Sequence, residues 1–306
     1  MKTITRQFKA MASACEVTFA DATEEKPESK AQLAIDEVLR IEKKYSRYLK
    51  DSVVSRINAA AGMGWVACDG ETLQLLQYAD TLYRTSGGLF DITSGILRRA
   101  WNFNTPHIPA QNELKPLLEK IGWPLVDLKN ENIRLPKPGM EIDFGGFGKE
   151  YAADRAAQIL VEAGIRHGYV NLGGDIRVIG PKPDNSAWSF GIQHPREHRI
   201  IATIPMSGGA LATSGDYERF FELEGRRYCH ILNPKSGRPA SHWRSVSVMA
   251  PLAIAAGSCT TIAMLKEKSG LAFLNETGFS YFAIDQQGNT FRNPPNPSKP
   301  TPATTA

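Results

Sequence analysis

The stretch Met140-Glu-Ile-Asp-Phe-Gly-Gly-Phe-Gly-Lys-Glu-Tyr-Ala-Ala-Asp154 joins an apolar run to the start of a helix through three glycines in four residues, with a lysine directly after them. The pattern predicts a strand over 140–144 that enters a helix at Lys149, and the junction suits an anion. Without side chains at Gly145, Gly146 and Gly148 the backbone can approach a ligand, while the free N–H groups and positive end of the following helix favour phosphate. Lys149 adds a full positive charge. The order of residues is not that of a P-loop, because Glu150 follows the lysine and Asp143 stands where the first glycine belongs, and it is not G-x-G-x-x-G either. A tight turn that needs glycine for its backbone angles is the competing reading.

Working outward, Tyr169-Val-Asn-Leu-Gly-Gly-Asp-Ile-Arg-Val-Ile-Gly180 reads as a second strand broken by a Gly-Gly pair, with Asp175 directly after it. Ala212-Thr-Ser-Gly-Asp-Tyr-Glu-Arg-Phe220 and Tyr228-Cys-His-Ile-Leu-Asn-Pro-Lys-Ser-Gly237 follow. Asp91, Asp175 and Asp216 each flank glycines where a ligand can approach, and each equally suits the capping of a turn.

Hydrophobic spacing places these blocks. Residues 29–47 put Ala34, Val38, Ile41 and Tyr45 on one helical face, with Ile35 and Leu39 beside it. Asp69 is a candidate N-cap for a helix over 71–86, closed by Gly87-Gly88. From Lys149 to Ala163, Tyr151, Ala152, Ala156, Ile159 and Leu160 form one stripe that stops at Gly164. Strands are predicted at 168–180, 187–193, 199–204 and 244–250, then a helix over 258–276 and a hairpin over 279–292. The βαβ rhythm of a doubly wound domain is missing, which predicts α+β with mixed, largely antiparallel sheets packed with helices, as a single domain over 1–292. Residues 293–306 are Pro/Thr-rich and almost free of apolar side chains, and are expected to be disordered.

A chain of 306 residues with 42% hydrophobic content can bury a sizeable core. Its 36 basic against 32 acidic side chains give a net charge of +4 without a basic-aromatic cluster, which argues against nucleic acid. No apolar run approaches the roughly 20 residues that cross a membrane. Cys15, Cys68, Cys229 and Cys259 show no zinc spacing and read as buried thiols of a reducing compartment. Ala12-Ser-Ala-Cys15 echoes a lipobox, but Arg6, Gln7 and Lys9 interrupt the apolar run a signal peptide needs, so a cytoplasmic location is expected.

The order and spacing of the blocks resemble the ApbE family of FAD:protein FMN transferases. Its patterns run D-[LF]-G-G-[IF]-[AG]-K-G-Y-A-x-D, N-x-G-G-D-I, T-S-G-D-Y-E-R-x-F and H-I-x-[DN]-P-x-[TS]-G. Tyr45-Ser-Arg-Tyr-Leu-Lys-Asp-Ser-Val-Val-Ser-Arg-Ile-Asn58, Gly88-Leu-Phe-Asp-Ile-Thr-Ser-Gly-Ile-Leu97, Trp101-Asn-Phe103 and a first core strand over 8–19 extend the likeness across roughly residues 5–285. The resemblance implies FAD as donor in a central cleft, Mg²⁺, and a partner protein whose Thr or Ser receives FMN with release of AMP. It implies a phosphate cradle at Gly145, Gly146, Gly148 and Lys149, further cofactor contacts from Asp91, Asp175, Ser214, Gly215, Asp216 and Tyr217, and catalytic roles for His230 and Lys149. A non-catalytic FAD-binding protein, or an FAD pyrophosphatase, is the alternative.

One departure bears on the metal. The family's A-D-[AG]-x-[ST]-T-[AG] element sets an aspartate four residues before a threonine, on one helix face beside a hard cation. Here Ala256-Gly-Ser-Cys-Thr-Thr-Ile262 has Gly257 in place of that aspartate. The resemblance leaves Thr260, Thr261 and the Gly146 carbonyl as metal ligands, and Ser258, Asp143, Asp175, the FAD phosphates or Glu150 to make good the missing oxygen. Glu150 is itself a departure, since the family has glycine after the lysine. Mg²⁺ is expected to bind weakly and with FAD, and Gly257→Asp to tighten it.

Overall fold

The computed structural model describes residues 2–21 and 27–293. Eight strands form an antiparallel sheet whose order across the sheet is their order in the chain: β1 (Lys2–Ala10), β2 (Ser13–Asp21), β3 (His167–Leu172), β4 (Asp175–Gly180), β5 (Gly209–Gly215), β6 (Trp243–Ala250), β7 (Ser280–Asp285) and β8 (Thr290–Asn293). The helices are α1 (Pro27–Tyr45), α2 (Val53–Ala59), α3 (Gly70–Thr85), α4 (Gln111–Leu118), α5 (Gly148–Glu162), α6 (Ala253–Leu265) and α7 (Gly270–Thr277). None of the described helices is long and apolar enough to cross a membrane.

Helices α1, α5 and α6 cover one face of the sheet. Buried Ala152, Ala153, Ala156 and Ala157 keep α5 thin enough to lie close to β3 and β4, while α6 packs on β5, where Ala210 and Ala212 are buried. The opposite face carries Ile176, Val178 and Leu211, sealed by Phe190 and Met206 of a hairpin, Trp188–Gln193 with Ile200–Met206. Trp101 of the Trp-x-Phe block stacks on Phe103, Phe221 and Tyr228 in a separate cluster and donates its Nε1–H to the Gly237 carbonyl at 2.7 Å.

The α+β expectation holds, and the differences lie in reversals and ends. Residues 169–180 are two strands, because Gly173 and Gly174 both take positive φ (62° and 98°) and fold β4 back on β3. The span 8–19 likewise reverses at Met11-Ala12, whose φ angles are 50° and 58°. The run 140–144 joins no sheet. Instead the Asn58 amide grips both main-chain groups of Ile142, donating at 3.0 Å and accepting at 2.7 Å, while Asp143 N–H donates to the Ile92 carbonyl at 2.9 Å. The single helix expected at 258–276 is α6 and α7, and α6 starts at Ala253. Asp69 caps α3 as read, accepting from Thr72 N–H at 2.9 Å. Of the expected tail, Asn293 closes β8, and 294–306 lie outside the described residues.

Candidate active site

The glycine loop ends where α5 begins at Gly148. Its N-terminus receives no side-chain cap, so no side chain of the N-cap residue satisfies the N–H groups at the positive end of the helix. None of the three glycines has positive φ, which excludes the turn-angle reading. Gly146 is small for packing, since a Cβ there would sit 2.8 Å from the Phe90 ring. Asp143 braces the loop from within, accepting from Gly145 N–H at 3.0 Å and pairing with Arg47.

Lys149 does not stand alone. Its Nζ lies 2.8 Å from Asp175, the buried acid just past the Gly173-Gly174 turn, so the two glycine motifs meet here. Burial on its own would depress the ammonium's pKa, but Asp175 and then Glu150 outweigh it and hold Lys149 above the ordinary lysine value. The ammonium has three donors, and the Asp175 carboxylate leaves others to turn toward a phosphate.

Glu150 points into the seam between α5 and α6. It is 8% exposed, and its Oε2 has no hydrogen-bond partner. Burial first, and Asp175 second, push its carboxyl well above the usual carboxylate range. Across the seam is Gly257. A Cβ built there would lie 2.6 Å from Glu150 Cγ and 2.8 Å from its Cδ, so the Glu150 side chain fills the volume that a residue at 257 would need. On the same helix Thr260 Oγ1 donates to the Gly257 carbonyl at 2.8 Å, and Ser214 Oγ of β5 lies 2.8 Å from Thr260 Oγ1 and 3.4 Å from Thr261 Oγ1. Asp154, one turn along α5 from Glu150, caps α6 by accepting from Ala253 and Ile254 N–H at 2.8 and 2.9 Å. That bond pair explains both the early start of α6 and its fixed position against α5.

His230 is half-buried beside this cluster. Its backbone N–H and ring Nδ1 both approach the Arg219 carbonyl, at 3.0 and 3.3 Å. A carbonyl only accepts, so Nδ1 carries the proton and Nε2 keeps its lone pair. Burial pushes the imidazole pKa down to about 4, with the positive charges of Arg219 and Lys149 acting in the same direction. His230 is therefore neutral near pH 7.

The remaining sequence candidates are engaged elsewhere. Asp91 Oδ1 accepts from Thr93 N–H and Oγ1 at 2.8 and 2.6 Å, and Oδ2 from Trp123 N–H at 3.0 Å, which is the work of a cap. Asp216 holds both arms of Arg196 at 2.7 and 2.6 Å and the Gln286 amide at 2.8 Å. Tyr217 folds its ring over Gly215, where a Cβ would come within 2.7 Å of Cδ1.

The ApbE family profile matches residues 11–283. The chain belongs to the ApbE family. Its relatives include the FAD:protein FMN transferase of Vibrio cholerae, 31% identical over an alignment 251 positions long that covers 79% of this chain and 75% of the relative. The enzyme of that name from Haemophilus influenzae is 27% identical over an alignment 309 positions long, gaps included, that covers 95% of this chain and 88% of the relative. Among solved structures, the ApbE protein of Thermotoga maritima superposes with a TM-score of 0.88 at 31% identity, covering 96% of this chain and 97% of its own.

Within the ApbE pattern, sequence reading passed over two residues. Asn58 closes the Tyr45–Asn58 block and clamps Ile142, setting the entry to the glycine loop. Asp154 closes the Met140–Asp154 block and caps α6. Each is the polar residue that ends its block, and that position is the signal the sequence carries.

Proposed function

We propose that this ApbE-family chain is an FAD:protein FMN transferase that moves FMN from FAD to a Thr or Ser hydroxyl of an acceptor protein. The observation that carries the reading is the convergence of Lys149, at the uncapped start of α5, with a neutral His230. One can hold a pyrophosphate and the other can take a proton.

In this reading Gly145, Gly146 and Gly148 let the backbone approach the pyrophosphate, and Lys149 neutralises part of its charge. The acceptor oxygen forms a bond to the riboflavin-side phosphorus as the bond from that phosphorus to the bridging oxygen breaks, and AMP leaves. His230 Nε2 takes the hydroxyl proton. Mg²⁺, when bound, would neutralise further phosphate charge. Among the described residues no three His, Cys, Asp or Glu side chains gather as a metal site. Asp91 and Asp216, with their carboxylates fully engaged, serve the frame around the cofactor rather than touching it.

The deciding experiment mixes purified protein with FAD and Mg²⁺ and follows AMP release and protein-bound flavin, with and without a Thr-bearing acceptor. Acceptor-dependent release is expected. Release without an acceptor identifies a pyrophosphatase, and tight FAD binding without release identifies a binding protein.

Lys149→Ala is expected to weaken FAD binding in a flavin fluorescence titration. Because an ion pair with phosphate is screened by salt, the wild-type affinity should fall between low and physiological ionic strength and the variant should lose most of that slope. Unchanged affinity and slope would remove Lys149 from the cradle.

A further inference from the structure

We infer that the carboxylate of this site has changed helices: Glu150 on α5 is the acidic ligand of the divalent cation, in place of a side chain at 257 on α6. The inference rests on the transferase reading only for the pyrophosphate that completes the cation's surroundings.

Three observations carry it. Glu150 is buried with one oxygen unpaired, which costs free energy unless something positive approaches it. Its side chain occupies the space in front of Gly257, so its carboxyl group is delivered to the volume that an aspartate at 257 would fill, one helical turn from Thr261. Among the described residues Glu150 also has no ion-pair partner within salt-bridge distance, whereas Asp175 is paired with Lys149 and Asp154 with Arg177, at 2.8 and 3.2 Å.

The other acids considered from sequence are spent. Asp143 holds Arg47 and the Gly145 N–H, and Asp175 holds Lys149. Ser258 Oγ takes the Tyr78 hydroxyl at 3.0 Å. The two departures from the family pattern, glycine to Glu150 and aspartate to Gly257, are thus one exchange. A side chain at 257 and that of Glu150 do not fit the seam together. This reverses the expectation that Gly257→Asp tightens Mg²⁺, because that change would drive a second carboxylate into the first.

Mn²⁺, which takes the same oxygen ligands as Mg²⁺, gives a readout independent of turnover. Its binding would be followed by electron paramagnetic resonance on the full chain with FAD present, alongside FAD affinity in EDTA and thermal unfolding. Glu150→Gln keeps the shape and should weaken Mn²⁺ by at least about tenfold, since even loss of an indirect partner of a metal costs 10–100-fold, while FAD affinity in EDTA holds. Gly257→Asp alone should lower thermal stability and weaken Mn²⁺. The double variant Glu150→Gly/Gly257→Asp should recover both to within a few-fold of wild type.

Wild-type Mn²⁺ affinity in a folded Glu150→Gln protein would overturn the inference. So would tighter Mn²⁺ in Gly257→Asp, a folded double variant that stays weak, or no Mn²⁺ binding by wild type with FAD. If Glu150 governs Mn²⁺ but no AMP is released with any acceptor, the transferase reading falls and this one stands.

Discussion

Replacing His230 with alanine is expected to lower FMN transfer by about 10²–10⁴-fold, the usual worth of a positioned base, with FAD affinity little changed. Among the described residues the ring makes one hydrogen bond, from Nδ1 to the Arg219 carbonyl, so its loss removes chemistry more than framework. The pH profile sharpens the test. In the free protein burial holds the imidazole pKa near 4, so kcat/KM should lose activity only as pH falls toward 4, well below an ordinary histidine. Once the anionic pyrophosphate is bound beside Lys149, negative charge favours imidazolium and raises that pKa. The acid limb of kcat should therefore lie at higher pH than that of kcat/KM. An unaltered rate in His230→Ala, or loss of folding in place of loss of rate, would remove the histidine from the mechanism.

Asp216→Ala is expected to cost about 3 kcal/mol of stability, read from urea unfolding. Removing one partner of a buried ion pair strands the other, and the low end of the usual range applies because Arg196 is 24% exposed and keeps some water. Asp216 is 4% exposed and ties Arg196 and Gln286 to the end of β5, so three segments lose a common anchor. If instead the variant unfolds like wild type and binds FAD tenfold more weakly, the carboxylate touches the cofactor and the structural role is wrong.

Much of the frame was legible because it is local. The stripe of α5, the Asp69 cap and the strand at 244–250 follow from spacing and caps within a few residues. Reversals were legible only where the chain advertises them. Gly173-Gly174 is a turn signal, visible as a break in the strand, whereas Met11-Ala12 carries no turn residue at all. In the site, Lys149 and Asp175 were each visible as the charged end of a glycine motif. Asp91 and Asp216 show the limit, since an acid beside glycine has the same sequence signature whether it meets a ligand or a backbone N–H. The Glu150–Gly257 seam joins residues far apart in the chain, and its compatibility is a matter of tenths of an ångström between two helices. Two simultaneous departures from one pattern were its only trace.

The order of the sheet has a consequence for how the chain is made. β2 pairs with β3 through Cys15 and Leu172, so the N-terminal hairpin leaves the ribosome long before its partner strand exists. Closing so long a loop is entropically costly and slow, and contacts of this span are what delay folding. Until α5 and β3 arrive, β2 presents an open row of N–H and C=O groups and the apolar faces of Val17 and Phe19, the condition under which strands pair with the wrong chain. The segment between them, which carries the glycine loop and Lys149, thus sets the time for which the hairpin stays unpartnered, and the glycine loop and the closure of the sheet are completed by the same stretch of chain.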